Sequence, residues 1–95
     1  MGKEEEFLRG QQIHLPIEEI SQVADARHRG MGLTKNLGFG ETEAGKVAIV
    51  ITEAAQNLVK HAAGGELFMR PLEAGGIEII ALDRGPGIGD MRRSL

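Results

Sequence analysis

The sequence predicts an α/β chain of the α+β kind: a two-layer sandwich with helices on one face of a mostly antiparallel, mixed sheet. Three observations point there. Ile13, Leu15 and Ile17 alternate in "QQIHLPI", the period of a strand. Apolar residues then recur at helical spacing through two long segments. Last, "ELFMRPL" and "GIEIIALD" read as strands joined by "EAGG", the pattern of a hairpin.

Taken in order, residues 1–10 are charged and are expected to form a flexible N-terminus. The first strand reads as a short edge strand, and Pro16, which lacks a backbone donor, fits an edge or the strand end. From Glu18 to about Leu37 the pattern is helical, with Ile20, Val23, Ala24, Arg27 and Met31 near one face. Gly30 and Gly32 weaken its middle, and "LGFGE" breaks it. A second helix runs from about Thr42 to Ala62, with Val47, Val50, Ile51, Ala54, Leu58 and His61 in register. "AAGG" ends it, with Gly64 or Gly65 as the cap. After the hairpin, "GDMRRSL" is expected to start another helix, with Asp90 at its N-cap.

At 95 residues the chain is one domain or part of one, long enough for a single core. A net charge of −3 with scattered basic residues argues against nucleic-acid or membrane binding. With no cysteine, disulfides and thiolate metal sites are excluded. No apolar run is long enough to span a membrane and the start is no signal peptide, so the expected compartment is the cytoplasm. Fourteen glycines point to sites shaped by backbone.

Three motifs bear on chemistry. "GETEAGKV" approaches the phosphate-loop pattern G-x-x-x-x-G-K-[ST], but Val47 stands where the hydroxyl residue is needed and no strand runs into it. It reads as a loop entering a helix. In "TEAAQNLVKHA", Glu53 and Asn57 are four apart and share a helix face, with Lys60 and His61 close by. Such a pair is either a solvent-exposed hydrogen-bonded couple or a working one. A carboxylate can orient or deprotonate a hydroxyl, and an amide oxygen can ligate Mg²⁺.

The third motif is "ALDRGPGIGD". An apolar strand, expected to be buried on both faces, delivers Asp83 to a pocket floor, where a carboxylate needs donors. Gly85, Gly87 and Gly89 let backbone approach a ligand. A strand-to-helix turn with a local Asp cap would use the same residue types. The dinucleotide fingerprint is not met, since Asp90 replaces its third glycine.

Together, Glu-x-x-x-Asn on a helix, two strands, then Asp-x-Gly-x-Gly resemble the GHKL superfamily of ATPases and kinases. "EAAQN" matches its N box and "DRGPG" its G1 box. The resemblance implies a Bergerat-type ATP-binding fold with ATP and Mg²⁺ as cofactors. It makes Asp83 the reader of the adenine amino group, and Gly85 and Gly87 the shapers of the adenine pocket. It makes Asn57 the Mg²⁺ ligand and Glu53 the catalytic base. "ARHRGMGLTKNLGF" before "VITEAAQNLVKHAAGGEL" looks like the anti-sigma-factor serine kinases, and within them the switch-protein kinases of bacterial stress signalling. The phosphoacceptor context of histidine kinases is lacking around His14, His28 and His61.

The resemblance covers residues 11–95, and after the G1 box the family continues with an ATP lid, a second glycine box and further strands. The expectation is therefore an incomplete fold, residues 11–95 being the N-terminal part of such a domain, whose open edge invites a homodimer. A naturally short protein is the alternative. The implied activity is a serine/threonine protein kinase acting on a STAS-type antagonist protein, with a phosphatase or sigma factor as further partners. The rival expectation is a non-catalytic partner-binding module with weak or no ATP binding. A third is a small α/β domain with a fortuitous turn.

Overall fold

The computed structural model describes residues 10–61, 64–84 and 90–95. Six elements follow in order: β1 (Ile13–Ile17), α1 (Ser21–Asn36), α2 (Glu41–His61), β2 (Gly65–Pro71), β3 (Ile77–Asp83) and β4 (Met91–Ser94). The strands form one sheet in the order β1-β2-β3-β4, every described pair antiparallel. Both helices pack on one face, as an α+β sandwich requires. The flexible segment expected at residues 1–10 lies almost wholly outside the described residues.

Register decides which side chains meet the helices. Ile13 pairs with Met69 and Met69 with Ile79; Leu15 pairs with Leu67 and Leu67 with Ala81. These rows form the sheet's side of the core, and Val47, Ile51, Ala54, Ala55 and Leu58 of α2 close it from above. β1 is the edge strand its proline suggested, with Pro16 opposite Glu66. Residues of β3 pointing away from the helices are less deeply covered: Ile80 and Leu82 are half-buried, while Glu78 is buried. The expectation of burial on both faces therefore holds fully only for the helix side. Glu78 is reached by Arg70 at 2.7 Å and by Arg92 at 3.6 Å, which answers its charge.

Helix α1 starts three residues later than its pattern suggested. Gln22 Oε1 accepts the backbone N–H groups of Glu18 at 2.6 Å and Glu19 at 2.9 Å, closing the turn before the helix. Its buried face is Val23, Ala26, Gly30, Leu33 and Thr34. Ala24 and Arg27 are exposed, and Ile20 is 57% exposed, so the expected face is corrected by part of a turn. The reason is steric: the smallest residues, Ala26 and Gly30, mark where the helix comes closest to its neighbours. The helix ends in a Schellman motif. Gly38, at φ +77°, donates to Lys35, and Phe39 donates to Thr34 at 2.9 Å. Gly64 caps α2, as one of the two expected glycines, with φ +91° and a bond to the Leu58 carbonyl.

The segment expected to open a final helix is instead a strand. Met91 pairs with Ala81 and Ser94 with Glu78, and Leu95 exchanges two 2.9 Å backbone hydrogen bonds with Ile77. The open side of β3 offers a row of N–H and C=O groups that need partners. Asp90 is exposed.

At Gly32 a methyl group would meet nothing within 4 Å, whereas at Gly30 it would overlap Ile51 Cδ1 and lie 3.4 Å from Met69 Sδ. Gly32→Ala should therefore stabilise the fold by about 0.5–1 kcal/mol. Gly30→Ala should destabilise it by about 1–3 kcal/mol through overpacking. Urea denaturation checks the pair, and equal gains at both positions would contradict the close approach of α1 and α2.

Candidate functional site

Helix α2 places the acid and the amide. Its buried stripe turns Glu53 and Asn57 outward, one turn apart, and both are exposed. Glu53 also borders a shallow groove between the helices, about 220 Å³ in volume, with Arg27, Ala48, Ile49 and Thr52. Ile49 is 60% exposed there, an apolar side chain one turn before the carboxylate.

Strand β3 places Asp83. It stands half-buried at the strand's last position, opposite Gly65 of β2. Strand alternation puts it on the same face as Ile79 and Ala81, the face that α2 covers. Gly65 makes this possible by having no side chain. A Cβ there would overlap the Leu82 carbonyl and come within 2.8 Å of Leu58 Cδ2. Leu58 follows Asn57 directly, so one turn of α2 joins the amide to the contact that roofs the end of β3. The acid and amide thus share an exposed stretch of helix, and the aspartate lies at the sheet end beneath that helix. Gly85 and Gly87 lie outside the described residues.

The glycine–lysine motif that approached a phosphate loop is helical from Glu41 onward, so Gly45 and Lys46 are not in a loop. Glu43, Lys46 and Val47 instead border a cavity of about 560 Å³ with Gly38–Gly40, Gly76 and Leu95. This cavity sits at the start of β3, the opposite end from Asp83.

Sequence reading missed an ionic network at the mouth of β3. Arg84 donates to Glu18 Oε1 at 2.6 Å, to Glu66 Oε2 at 2.7 Å and to the Gly65 carbonyl at 3.4 Å. The other oxygen of Glu66 meets His14 Nε2 at 2.5 Å, and the His14 ring stacks on Phe68 at 4.3 Å. Hydrogen bonds from Arg84 and then His14 hold the Glu66 carboxyl below the usual carboxylate range. Bonds to Glu18 and Glu66 raise the Arg84 guanidinium above its ordinary value. Arg84 lies inside the motif that singled out Asp83, but its partners are distant in sequence, and that spacing left no local signal.

The described residues form a two-layer α+β domain in which one helix carries Glu53 and Asn57 and packs over the strand that ends in Asp83. The chain is 35% identical over 74 residues to the serine/threonine-protein kinase RsbT of Bacillus subtilis (strain 168), a stretch that is 75% of this chain and 56% of that protein. It therefore spans little more than half the length of that relative. No family model matches the chain, and no solved structure does. No helix among the described residues is long and apolar enough to cross a membrane.

Because the folded Glu66 carboxyl titrates below its unfolded counterpart, its contribution is present at neutral pH and is lost as the pH falls through the folded value. The stability gap between the chain and Glu66→Gln should be small, as for an exposed ion pair, present at neutral pH and lost in acid once the folded carboxyl is protonated. Denaturation at neutral and at acid pH measures it. A gap that stays constant would contradict the ion pairing.

Proposed function

We propose that the chain is the part of an ATP-dependent serine/threonine protein kinase that carries the base, the metal-binding amide and the adenine-reading aspartate. The observation that carries this is the placement of Asp83 at the end of β3 beneath the helix that presents Glu53 and Asn57, together with the relationship to RsbT.

The groups fit Mg-ATP. Among the described residues no cluster of three or more His, Asp or Glu could hold a metal ion. Mg²⁺ brought by a nucleotide needs few protein oxygens, because phosphate and water fill most of its coordination shell. Asn57 is exposed and has such an oxygen. ATP supplies the phosphoryl group, and Mg²⁺ neutralises charge on it. The chain's own work is positioning. Asp83 accepts a hydrogen bond from an amino group at the strand end, and the bare backbone at Gly65 lets Leu58 of α2 close over that end. Glu53 orients a serine or threonine hydroxyl and takes its proton as the oxygen bonds to the γ-phosphorus, whose bond to the bridging oxygen breaks so that ADP leaves. Gly85 and Gly87 shape the adenine side of the pocket in this reading. The hydroxyl belongs to a STAS-type antagonist protein in bacterial stress signalling, with a phosphatase or sigma factor as further partners, in the cytoplasm.

The second reading is a partner-binding module of the same fold without catalysis. Exposed Ile49 beside Glu53 favours it, since an apolar residue on an outward helix face suits a protein contact.

Glu53→Ala should reduce phosphoryl transfer to a partner protein by about a hundredfold or more while retaining nucleotide binding. Radiolabelled transfer with and without Mg²⁺ measures it. Transfer that survives in Glu53→Ala would remove Glu53 from the mechanism, and partner capture without any Mg-ATP-dependent transfer would favour the second reading.

A further inference from the structure

We propose that Arg84 is a positioning residue: it clamps the end of β3 to β1 and β2 from the outer face of the sheet, and so holds Asp83 in place on the inner face. This rests on the reading of Asp83 as a nucleotide contact.

Three elements converge on one guanidinium. Glu18 follows the last residue of β1, Glu66 is the second residue of β2, and Arg84 is the first residue beyond β3. The Arg84 side chain reaches both carboxylates and the Gly65 carbonyl, and its backbone N–H donates to Gly64 at 3.1 Å, extending the pairing of β2 and β3 by one step. Glu66 pairs across the sheet with Leu82 and Pro16, on the face away from the helices. Asp83 pairs with Gly65, on the face toward them. Neighbouring residues at the strand's mouth are thus used on opposite sides, one presenting a carboxylate and the next anchoring the backbone that carries it.

The clamp itself is braced. His14 of β1 holds the second oxygen of Glu66 and is fixed in turn by stacking on Phe68, with 9° between the ring planes. Arg84, Glu18 and Glu66 keep between 32% and 58% of their side-chain surface exposed. Exposed ion pairs of this kind contribute little to global stability. What a fork-shaped guanidinium between two carboxylates does supply is direction. A lysine has one charge centre and cannot span both partners in the same way.

The test compares the chain with Arg84→Met, Arg84→Lys and Asp83→Asn in calorimetric titration with Mg-ATP, at low and high salt. Thermal denaturation without nucleotide runs in parallel. Arg84→Met should weaken binding about tenfold, the scale of losing a supporting contact behind a binding group. Its melting temperature should stay near that of the unsubstituted chain. Arg84→Lys should restore only part of the affinity. Added salt should weaken the unsubstituted chain more than Arg84→Met, because the clamp is ionic and solvent-accessible. Equal affinity in the chain and Arg84→Met, with Asp83→Asn still defective, would overturn the clamp and leave the nucleotide site standing. No binding by the unsubstituted chain would overturn both.

Discussion

The burial of one row of β3 beneath α2 sets the position of everything else. Ile77, Ile79 and Ala81 face the helix, and Val47, Ile51, Ala54 and Leu58 come down on the sheet, all of them essentially removed from water. Truncating a residue such as Ile51 or Leu58 to alanine at such a place costs about 2–5 kcal/mol, a large share of the stability of a domain this small. That contact fixes the rotation of α2 about its axis. Once the rotation is fixed, Glu53 and Asn57 must point outward. Once β3 is fixed, its last residue must emerge under the C-terminal half of the same helix.

Much of this was legible because it is periodic. The alternation of Ile13, Leu15 and Ile17 marks an edge strand, and the spacing of Val47, Ile51, Ala54 and Leu58 marks the buried stripe of α2. The Glu53–Asn57 spacing also sufficed to put both on one face. Features that depend on a neighbour were not legible. The true inner face of α1 is chosen by Gly30, whose lack of a side chain only matters because Ile51 lies against it. Asp90 gives a good local signal for a helix, but the open side of β3 offers Met91–Ser94 a ladder of hydrogen bonds that no local pattern announces.

The candidate site divides the same way. Asp83 was legible as a carboxylate at the mouth of an apolar strand. Its setting was not, because Gly65 reads only as a helix stop until it is placed opposite Asp83 in the sheet. The network around Arg84 joins residues 66 and 18 positions away along the chain, so no local pattern announces it. The strand-end carboxylate and the guanidinium that ties the strand end to its neighbours therefore sit side by side in one short motif, and only the first is visible in one dimension.

The account turns on Asp83 as the group that recognises the nucleotide. The most direct measurement is Mg²⁺-dependent ATP binding by titration calorimetry on the chain and on Asp83→Asn, an exchange that keeps size and removes the charge. The account predicts saturable heat for the unsubstituted chain and its loss in Asp83→Asn. Binding of equal strength in both would contradict it.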